Sequence, residues 1–242
     1  MPVTGEISSR RAALSPEKVW RSFPAAADCP VFVKRGSRLD TSADSVRHRA
    51  FELASRFIED GPVGPSEQNN RRISFRPIGR SDFHLLQKWL AASHVAVWWN
   101  EHFDLASLES KYGPGIDGSA PIYVYLINFD GTPIGWIQWY RWRDFPKHAI
   151  QLGADSRSAG IDLAIGEVEM TGRGLGPAVI QEFGTNYIFT NKDLSAIVAD
   201  PAVSNLISVA AFKRAGFNLV RTVQLVDEAF ARHVVQLERG EN

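Results

Sequence analysis

The sequence predicts one folded domain of mixed α/β (α+β) class over residues 72–242, with a mixed central sheet flanked by helices. Two observations lead to this prediction. Short stretches with the character of strands are interleaved with longer stretches whose apolar residues recur at helical spacing. In addition, a glycine-rich segment at residues 172–176 joins one predicted strand to the helix that follows it.

Residues 1–71 differ in texture from the rest and are predicted to form an N-terminal extension. The division falls at residues 61–70 (GPVGPSEQNN), where Gly, Pro and Asn residues stop regular structure. Within the extension, residues 42–60 carry apolar side chains at helical spacing, which predicts one amphipathic helix. No chemical motif is found before residue 72.

The predicted elements follow in order from residue 73. A strand at 73–77 precedes a helix that Ser81 and Asp82 cap. Strands at 123–128 and 133–142 are joined by a hairpin turn at 129–132, with its glycine at the bend. The remaining predicted elements are strands at 161–165, 195–199, 217–225 and 233–237 and helices at 177–190 and 205–215.

Composition excludes several classes of function. The 27 basic and 27 acidic residues cancel, so no global field favours a polyanion, and nucleic acid is not expected as a partner. The single cysteine, Cys29, excludes an internal disulfide framework. We find no signal peptide and no apolar run long enough to span a bilayer, so we expect a cytoplasmic protein without a membrane partner.

The glycine loop has the features of an anion-binding site. Gly172, Gly174 and Gly176 alternate, which lets the main chain approach a ligand without side-chain clash. The N–H groups that open the next helix, and its dipole, favour a negative charge such as a pyrophosphate. The spacing matches neither a Walker loop nor a dinucleotide fingerprint, because Pro177 stands where the latter needs its third glycine.

The segments around this loop resemble the GNAT superfamily of acyl-CoA-dependent N-acyltransferases. Its signature is Arg or Gln, two residues, Gly, one residue, then Gly or Ala, and the matching segment here is 171–176. Thr171 departs from the signature at the first position, although a main-chain cradle survives that change. A second feature follows at 200–205 (DPAVSN), with KRAGF at 213–217 closing the next helix. The resemblance covers roughly residues 72–240.

The resemblance implies a GNAT fold with an N-terminal extension and acetyl-CoA as co-substrate. For Asn205, an N-cap of its own helix is a nearly equal alternative to contact with the pantetheine amides. The residues that the resemblance assigns to cofactor binding are Ile165, Gly172, Arg173, Gly174, Leu175, Gly176, Asn205 and Phe212.

Within the superfamily, the pattern is most similar to the aminoglycoside 6'-N-acetyltransferases. The segments that carry this similarity include WL at 89–90, SH at 93–94, WW at 98–99, GID at 160–162 and DP at 200–201. It implies acetyl transfer to a primary amine of an aminoglycoside, and hence antibiotic resistance. Siderophore-pathway (hydroxy)lysine or other small-amine N-acyltransferases are the nearest alternative, and a non-catalytic acyl-CoA or drug-binding module is the third.

The chemistry requires a free amine, a polarised thioester carbonyl and a proton for the leaving thiolate. Asp162 is the candidate base, since the similar acetyltransferases carry an aspartate in the same Gly-Ile-Asp setting. Cys29 has no partner in view, so direct attack in a ternary complex is preferred over a covalent relay. A tyrosine often protonates the thiolate in this superfamily, but Phe212 occupies the matching position; Tyr140 is an alternative donor.

A polycationic acceptor predicts an acidic cleft with flat faces for sugar rings. Each candidate acid could instead be an ordinary solvated carboxylate. No set of residues has metal-ligand spacing, so no metal is expected, and a monomer and a homodimer both stay open. The predicted acceptor-binding residues are Trp99, Glu101, Asp117, Gln138, Tyr140, Asp162, Asp200 and Asp227.

Overall fold

The computed structural model of the protein describes residues 72–99, 101–226, 228 and 230–240. The predicted extension at residues 1–71, with its helix at 42–60, lies outside these residues, and so does Asp227. In the described part of the chain, no helix is long and apolar enough to cross a bilayer.

The described residues form one mixed sheet of seven strands, which confirms the predicted class. The order across the sheet is β1-β2-β3-β4-β5-β7-β6, and every neighbouring pair is antiparallel except β4 and β5. The strands are β1 (Ile73–Pro77), β2 (Ile122–Phe129), β3 (Thr132–Arg141), β4 (Ser158–Ile165), β5 (Ala196–Ala199), β6 (Asn218–Val223) and β7 (Arg232–Glu238).

Six α-helices in the described residues cover the two faces of the sheet. Buried residues of α1 to α4 belong to the core on one face, and those of α5 and α6 to the core on the other. The helices are α1 (Phe83–Ala91), α2 (Ser93–Trp99), α3 (Leu105–Ile116), α4 (Pro146–Leu152), α5 (Leu175–Phe183) and α6 (Leu206–Arg214).

Three of these helices, α2, α3 and α4, were not predicted. Helix α3 contains Gly113, Pro114 and Gly115 near its end, residues that ordinarily indicate a break. It forms because Asp104 caps its first turn and because Leu108 and Tyr112 are buried against the sheet. Helix α4 is only seven residues long, too short for a periodic pattern to show.

Local turn chemistry explains the predictions that are confirmed. At the β2–β3 hairpin, Asp130 and Gly131 both have positive φ, 51° and 77°, as a two-residue turn between twisted strands requires. Helix α5 begins two residues before its predicted start and continues as a π-helical turn at Gly184–Ile188.

The pairing of β4 with β5 positions the site. The two strands pair only from Ser158 to Gly160, opposite Ala196 to Val198. Strand β4 then continues to Ile165 paired with β3 alone, so the sheet opens between β4 and β5. The prediction began β4 at residue 161, and the three residues it missed are the ones that form this parallel pairing.

Candidate active site

The opening leaves one edge of β4, at residues 161–165, without a strand partner among the described residues. Unpaired main-chain N–H and C=O groups are strong hydrogen-bonding sites for an extended ligand. Ile161, Leu163 and Ile165 face the core beneath α5 and α6, whereas Asp162 pairs with Gln138 of β3 and faces the opposite layer. A ligand lying along this edge therefore passes between the two faces of the sheet.

The glycine loop follows this edge after six residues, which include a short 3-10 helix at Val168–Met170, and it leads into α5. Gly172 and Gly174 have φ values of 69° and 72°, the left-handed region that glycine adopts without strain. A Cβ atom at either position would meet no atom within 4 Å, so the loop is open to a ligand. Its left-handed turns and the first N–H groups of α5 form an anion-binding concavity at the end of the open edge.

The remaining predicted cofactor residues lie in the loop itself, at the start of α5, on α6 and at the end of β4. Leu175 and Gly176 open α5, and Gly176 packs beside Ala211 of α6. Asn205 caps α6, since its Oδ1 accepts a hydrogen bond from the Ser208 N–H at 3.1 Å. The N-cap alternative for Asn205 is thus present in the structure.

Thr171, Arg173 and Ile165 contact other residues of the protein. The Thr171 hydroxyl donates to the Val168 carbonyl at 2.7 Å, which closes the turn before the loop. Arg173 lies over the Phe129 ring, with its guanidinium 6.0 Å from the centroid. The Ile165 carbonyl lies 3.1 Å from His94 Nε2, so helix α2 contacts the end of β4.

Asp162 lies at the mouth of the opening with two partners from β3. Gln138 Nε2 donates to Asp162 Oδ2 at 3.0 Å, and Gln138 is fully buried. The Tyr140 ring lies over Gly160, where a Cβ atom would stand 2.2 Å from Tyr140 Cε2. Glycine at 160 therefore allows the tyrosine to pack beside the aspartate, and the structure brings the three predicted residues 138, 140 and 162 together.

The environment of Asp162 raises the pKa of its carboxyl to about 6. Burial is the largest cause, because it disfavours the charged form, and the negative charge of Asp200 adds to it. The Gln138 hydrogen bond and the charges of Arg232 and Lys111 act in the opposite direction. A carboxylate with a pKa near neutrality is well placed to accept a proton from a bound ammonium group.

The aromatic residues considered for proton donation differ in what they can do. Phe212 is buried in the core and packs edge-to-face on Phe217, with centroids 5.0 Å apart, so it supplies packing and no proton. Burial and the charges of Asp162 and Asp200 raise the pKa of the Tyr140 phenol well above its usual value. Tyr140 is therefore protonated and can donate a hydrogen bond at the mouth of the opening.

The three other predicted acids that the structure describes, Asp200, Glu101 and Asp117, have basic partners. Asp200 Oδ2 lies 3.5 Å from Arg232 Nη1 and 3.6 Å from His148 Nε2. Glu101 forms a buried ion pair with Lys111. Asp117 is a surface residue that pairs with Arg80 at 2.8 Å, and the described contacts do not connect it with Asp162.

Sequence reasoning missed the residues that join α1 to the glycine loop. Glu167 accepts a hydrogen bond from the Trp89 indole N–H at 2.8 Å and pairs with Lys88 at 2.6 Å. Gly166 packs against Trp89 so closely that a Cβ atom would lie 2.1 Å from Cγ. The segment that precedes the loop is thus fixed to α1. In the sequence, only the glycine at position 166 indicates that a side chain packs closely against the main chain there.

Comparison with known proteins decides the family. A family model described as an acetyltransferase (GNAT) domain matches residues 79–225, which is more than half of the chain. The chain belongs to the GNAT acetyltransferase family. The matched range runs from the start of α1 through the opening, the glycine loop and β6.

Relatives of this acetyltransferase include two proteins named aminoglycoside N(6')-acetyltransferase type 1, from Klebsiella pneumoniae and Serratia marcescens. Each is 26% identical over 162 residues, which cover 66% of this chain and 80% of the relative. Among solved structures, AAC(6')-Ib with coenzyme A superimposes with a TM-score of 0.59 at 25% identity, covering 69% of this chain and 95% of that one. AAC(6')-Ib with coenzyme A and kanamycin gives 0.58 at the same identity and coverage.

The family and the site geometry agree on the co-substrate. A Cβ atom on Gly172 or Gly174 would meet no other atom within 4 Å, so the loop has room for a pyrophosphate. The unpaired edge of β4 precedes the loop and offers main-chain groups to an extended pantetheine arm. The chain is an acetyl-CoA-dependent N-acetyltransferase. Among the described residues, no group of three or more His, Cys, Asp or Glu side chains could hold a metal ion.

Changing Gly174 to Ala tests the cradle. Alanine in a left-handed conformation carries a strain of about 1 kcal/mol, and a loop that relaxes this strain loses its fit to the ligand. We expect the KM for acetyl-CoA to rise roughly 5- to 10-fold, measured by thiol release. Gly118→Ala is the matched control, because Gly118 has φ 68° and equally open surroundings outside the loop. An equal KM in the two variants would contradict the role of the loop.

The raised pKa of Asp162 predicts a pH profile. Below pH about 6 the carboxyl is protonated and cannot accept a proton. A plot of log kcat/KM for the acceptor against pH should therefore rise up to about pH 6 and bend there. Asp162→Asn should remove the bend near pH 6 and lower the rate by about 10²- to 10⁴-fold. The acceptor amine titrates at higher pH, so its own titration adds no bend near pH 6 to either profile. A profile in Asp162→Asn that still bends near pH 6 would assign the base to another group.

Proposed function

We propose that the protein transfers the acetyl group of acetyl-CoA to a primary amine of an aminoglycoside, by direct attack in a ternary complex. The observation that carries the proposal is the position of Asp162, beside Gln138 and Tyr140 at the mouth of the β4–β5 opening. The named activity of relatives at 26% identity supports this choice of acceptor.

The charges around the opening favour a cationic acceptor. Asp162, Asp200 and Glu228 place three carboxylates near a single guanidinium, that of Arg232, which pairs with both Asp200 and Glu228. Among the described residues, Asp162 has no ion-pair partner within 4 Å, so it is the carboxylate left to receive an ammonium group. The acidic excess raises the local concentration of a polycation at the mouth.

Asp162 holds and deprotonates the acceptor in this proposal. The ammonium first pairs with the carboxylate, which then takes the proton as the neutral amine attacks the thioester carbonyl. Gln138 fixes the orientation of the carboxylate, since its own amide is fully buried and donates to Oδ2. Acetyl-CoA supplies the activated acyl carbon, and the carbon–sulfur bond breaks as the amide forms.

Phe212 has no proton to donate to the departing thiolate, so the proton comes from another group. Tyr140 retains its proton and stands at the mouth of the opening, which makes it one source. The other is the product nitrogen, which carries an extra proton after attack and can pass it to sulfur or to water. Both sources lie on the Asp162 side of the sheet.

Thiol release from acetyl-CoA, measured against kanamycin, tobramycin and other aminoglycosides with a 6'-amine, tests the proposal. We expect turnover that Asp162→Asn reduces by about 10²- to 10⁴-fold. Mass spectrometry of the product should show one added acetyl group. Gln138→Leu, which removes the hydrogen bond and leaves the carboxylate, should give a smaller loss.

Other outcomes separate the alternatives. Absence of turnover with every 6'-amino aminoglycoside would refute the aminoglycoside proposal. Preference for a longer acyl-CoA and a (hydroxy)lysine acceptor would favour a siderophore-type N-acyltransferase. Tight binding of coenzyme A by a wild-type protein that turns over no amine would indicate a binding module.

A further inference from the structure

Lys111 and Glu101 form an ion pair whose side chains are only 6% and 4% exposed. Glu101 precedes α3, and its second oxygen, Oε2, lies 3.4 Å from the Tyr112 hydroxyl. Burial raises the pKa of Glu101 and lowers that of Lys111, while the charge of each partner opposes the shift. Removing two charges from water is costly, so such a pair requires close mutual contact.

The surroundings of Lys111 Nζ are those of an ammonium-binding site. The Trp99 ring centroid lies 5.7 Å from Nζ and the Tyr112 centroid 5.4 Å from it, while Glu101 supplies the carboxylate. Aromatic faces combined with an acid are a common way for proteins to hold a ligand ammonium. We call Trp99, Glu101 and Tyr112 the ammonium cage; here the chain's own lysine occupies it.

The ammonium cage lies next to the proposed base. The Trp99 ring packs on Trp136 of β3, with centroids 5.0 Å apart. Gln138 is two residues further along β3, which places it on the same face about 7 Å from Trp136. Gln138 in turn donates to Asp162. The charge of Lys111 also acts to lower the pKa of Asp162, as expected for neighbouring groups.

We propose that Lys111 fills, from within the chain, an ammonium subsite beside Asp162, and that the enzyme therefore disfavours acceptors with a second ammonium group on that side of the reacting amine. The inference rests on the proposed function only in taking an amine as the acceptor. It also revises the predicted roles of Trp99 and Glu101, which bind Lys111 in the structure. Lys111 is thus a specificity-determining residue.

Chemical rescue tests whether the cage binds ammonium groups. Lys111→Ala deletes three methylene groups and the ammonium, which together correspond to propylammonium. We expect millimolar propylammonium chloride to raise the Tm of Lys111→Ala by several degrees above an equal concentration of sodium chloride. The wild type and the double variant Glu101→Gln/Lys111→Ala should show no such rise. Equal responses in all three proteins would overturn the cage.

Acceptor selectivity tests the consequence for catalysis. Kanamycin A and kanamycin B differ at one position of the ring that bears the 6'-amine, where a hydroxyl is replaced by an amine. Lys111→Met keeps the length of the side chain and removes its charge. We expect it to raise the kcat/KM ratio of kanamycin B to kanamycin A at least tenfold. Glu101→Gln/Lys111→Met should keep the wild-type ratio within about threefold.

The two experiments separate this inference from the proposed function. If the wild type turns over no 6'-amino aminoglycoside, the aminoglycoside proposal is refuted, while the propylammonium measurement still decides whether the cage binds ammonium groups. An active Lys111→Met enzyme with an unchanged ratio would overturn the selectivity role. If Lys111→Ala does not fold, the kanamycin selectivity ratio of folded Lys111→Met decides the inference under the criteria given for it.

Discussion

The site depends on the point at which β4 and β5 stop pairing. Three residue pairs, ending at Gly160 and Val198, hold the two strands together, and the strands then separate. Continued pairing would have satisfied the edge of β4 internally and placed Asp162 opposite Asp200, two acids in direct contact. Their separation instead creates an unpaired edge of β4 and leaves Asp162, the proposed base, at the mouth of the opening. In the proposed mechanism, this joins cofactor binding on one face of the sheet to acceptor binding on the other.

Internal pairing of charges is the basis on which we propose Asp162 as the acid that binds the acceptor. Asp200 shares Arg232 with Glu228, and Glu101 is enclosed with Lys111, so these carboxylates are largely neutralised within the protein. Among the described residues, the hydrogen-bond partners of Asp162 include two neutral groups, the Gln138 amide and the Tyr140 hydroxyl, and burial keeps its pKa near 6. The burial that raises the pKa of Asp162 is thus opposed by the charges of Arg232 and Lys111.

Local chemistry made much of the fold and the loop predictable from the sequence. The Asp-Gly turn, the alternating strands and the glycine loop are determined by nearby residues, and each appears in the structure near its predicted place. Helix α3 was missed because tertiary burial overrides its Gly-Pro-Gly segment. The partners of the acids were not predicted from the sequence. Arg232 lies 32 residues from Asp200, and no local sequence pattern indicates that Lys111 pairs with Glu101.

Amide hydrogen exchange of residues 161–165 and 172–176, with and without coenzyme A, tests most directly whether the open edge of β4 and the glycine loop bind the co-substrate. Coenzyme A should slow exchange in both segments, because its amides and pyrophosphate would bond to main-chain groups that otherwise face solvent. Strand β6, the terminal strand beside β7, serves as an internal reference that should not change. Binding of coenzyme A without protection of residues 161–165 would contradict the account.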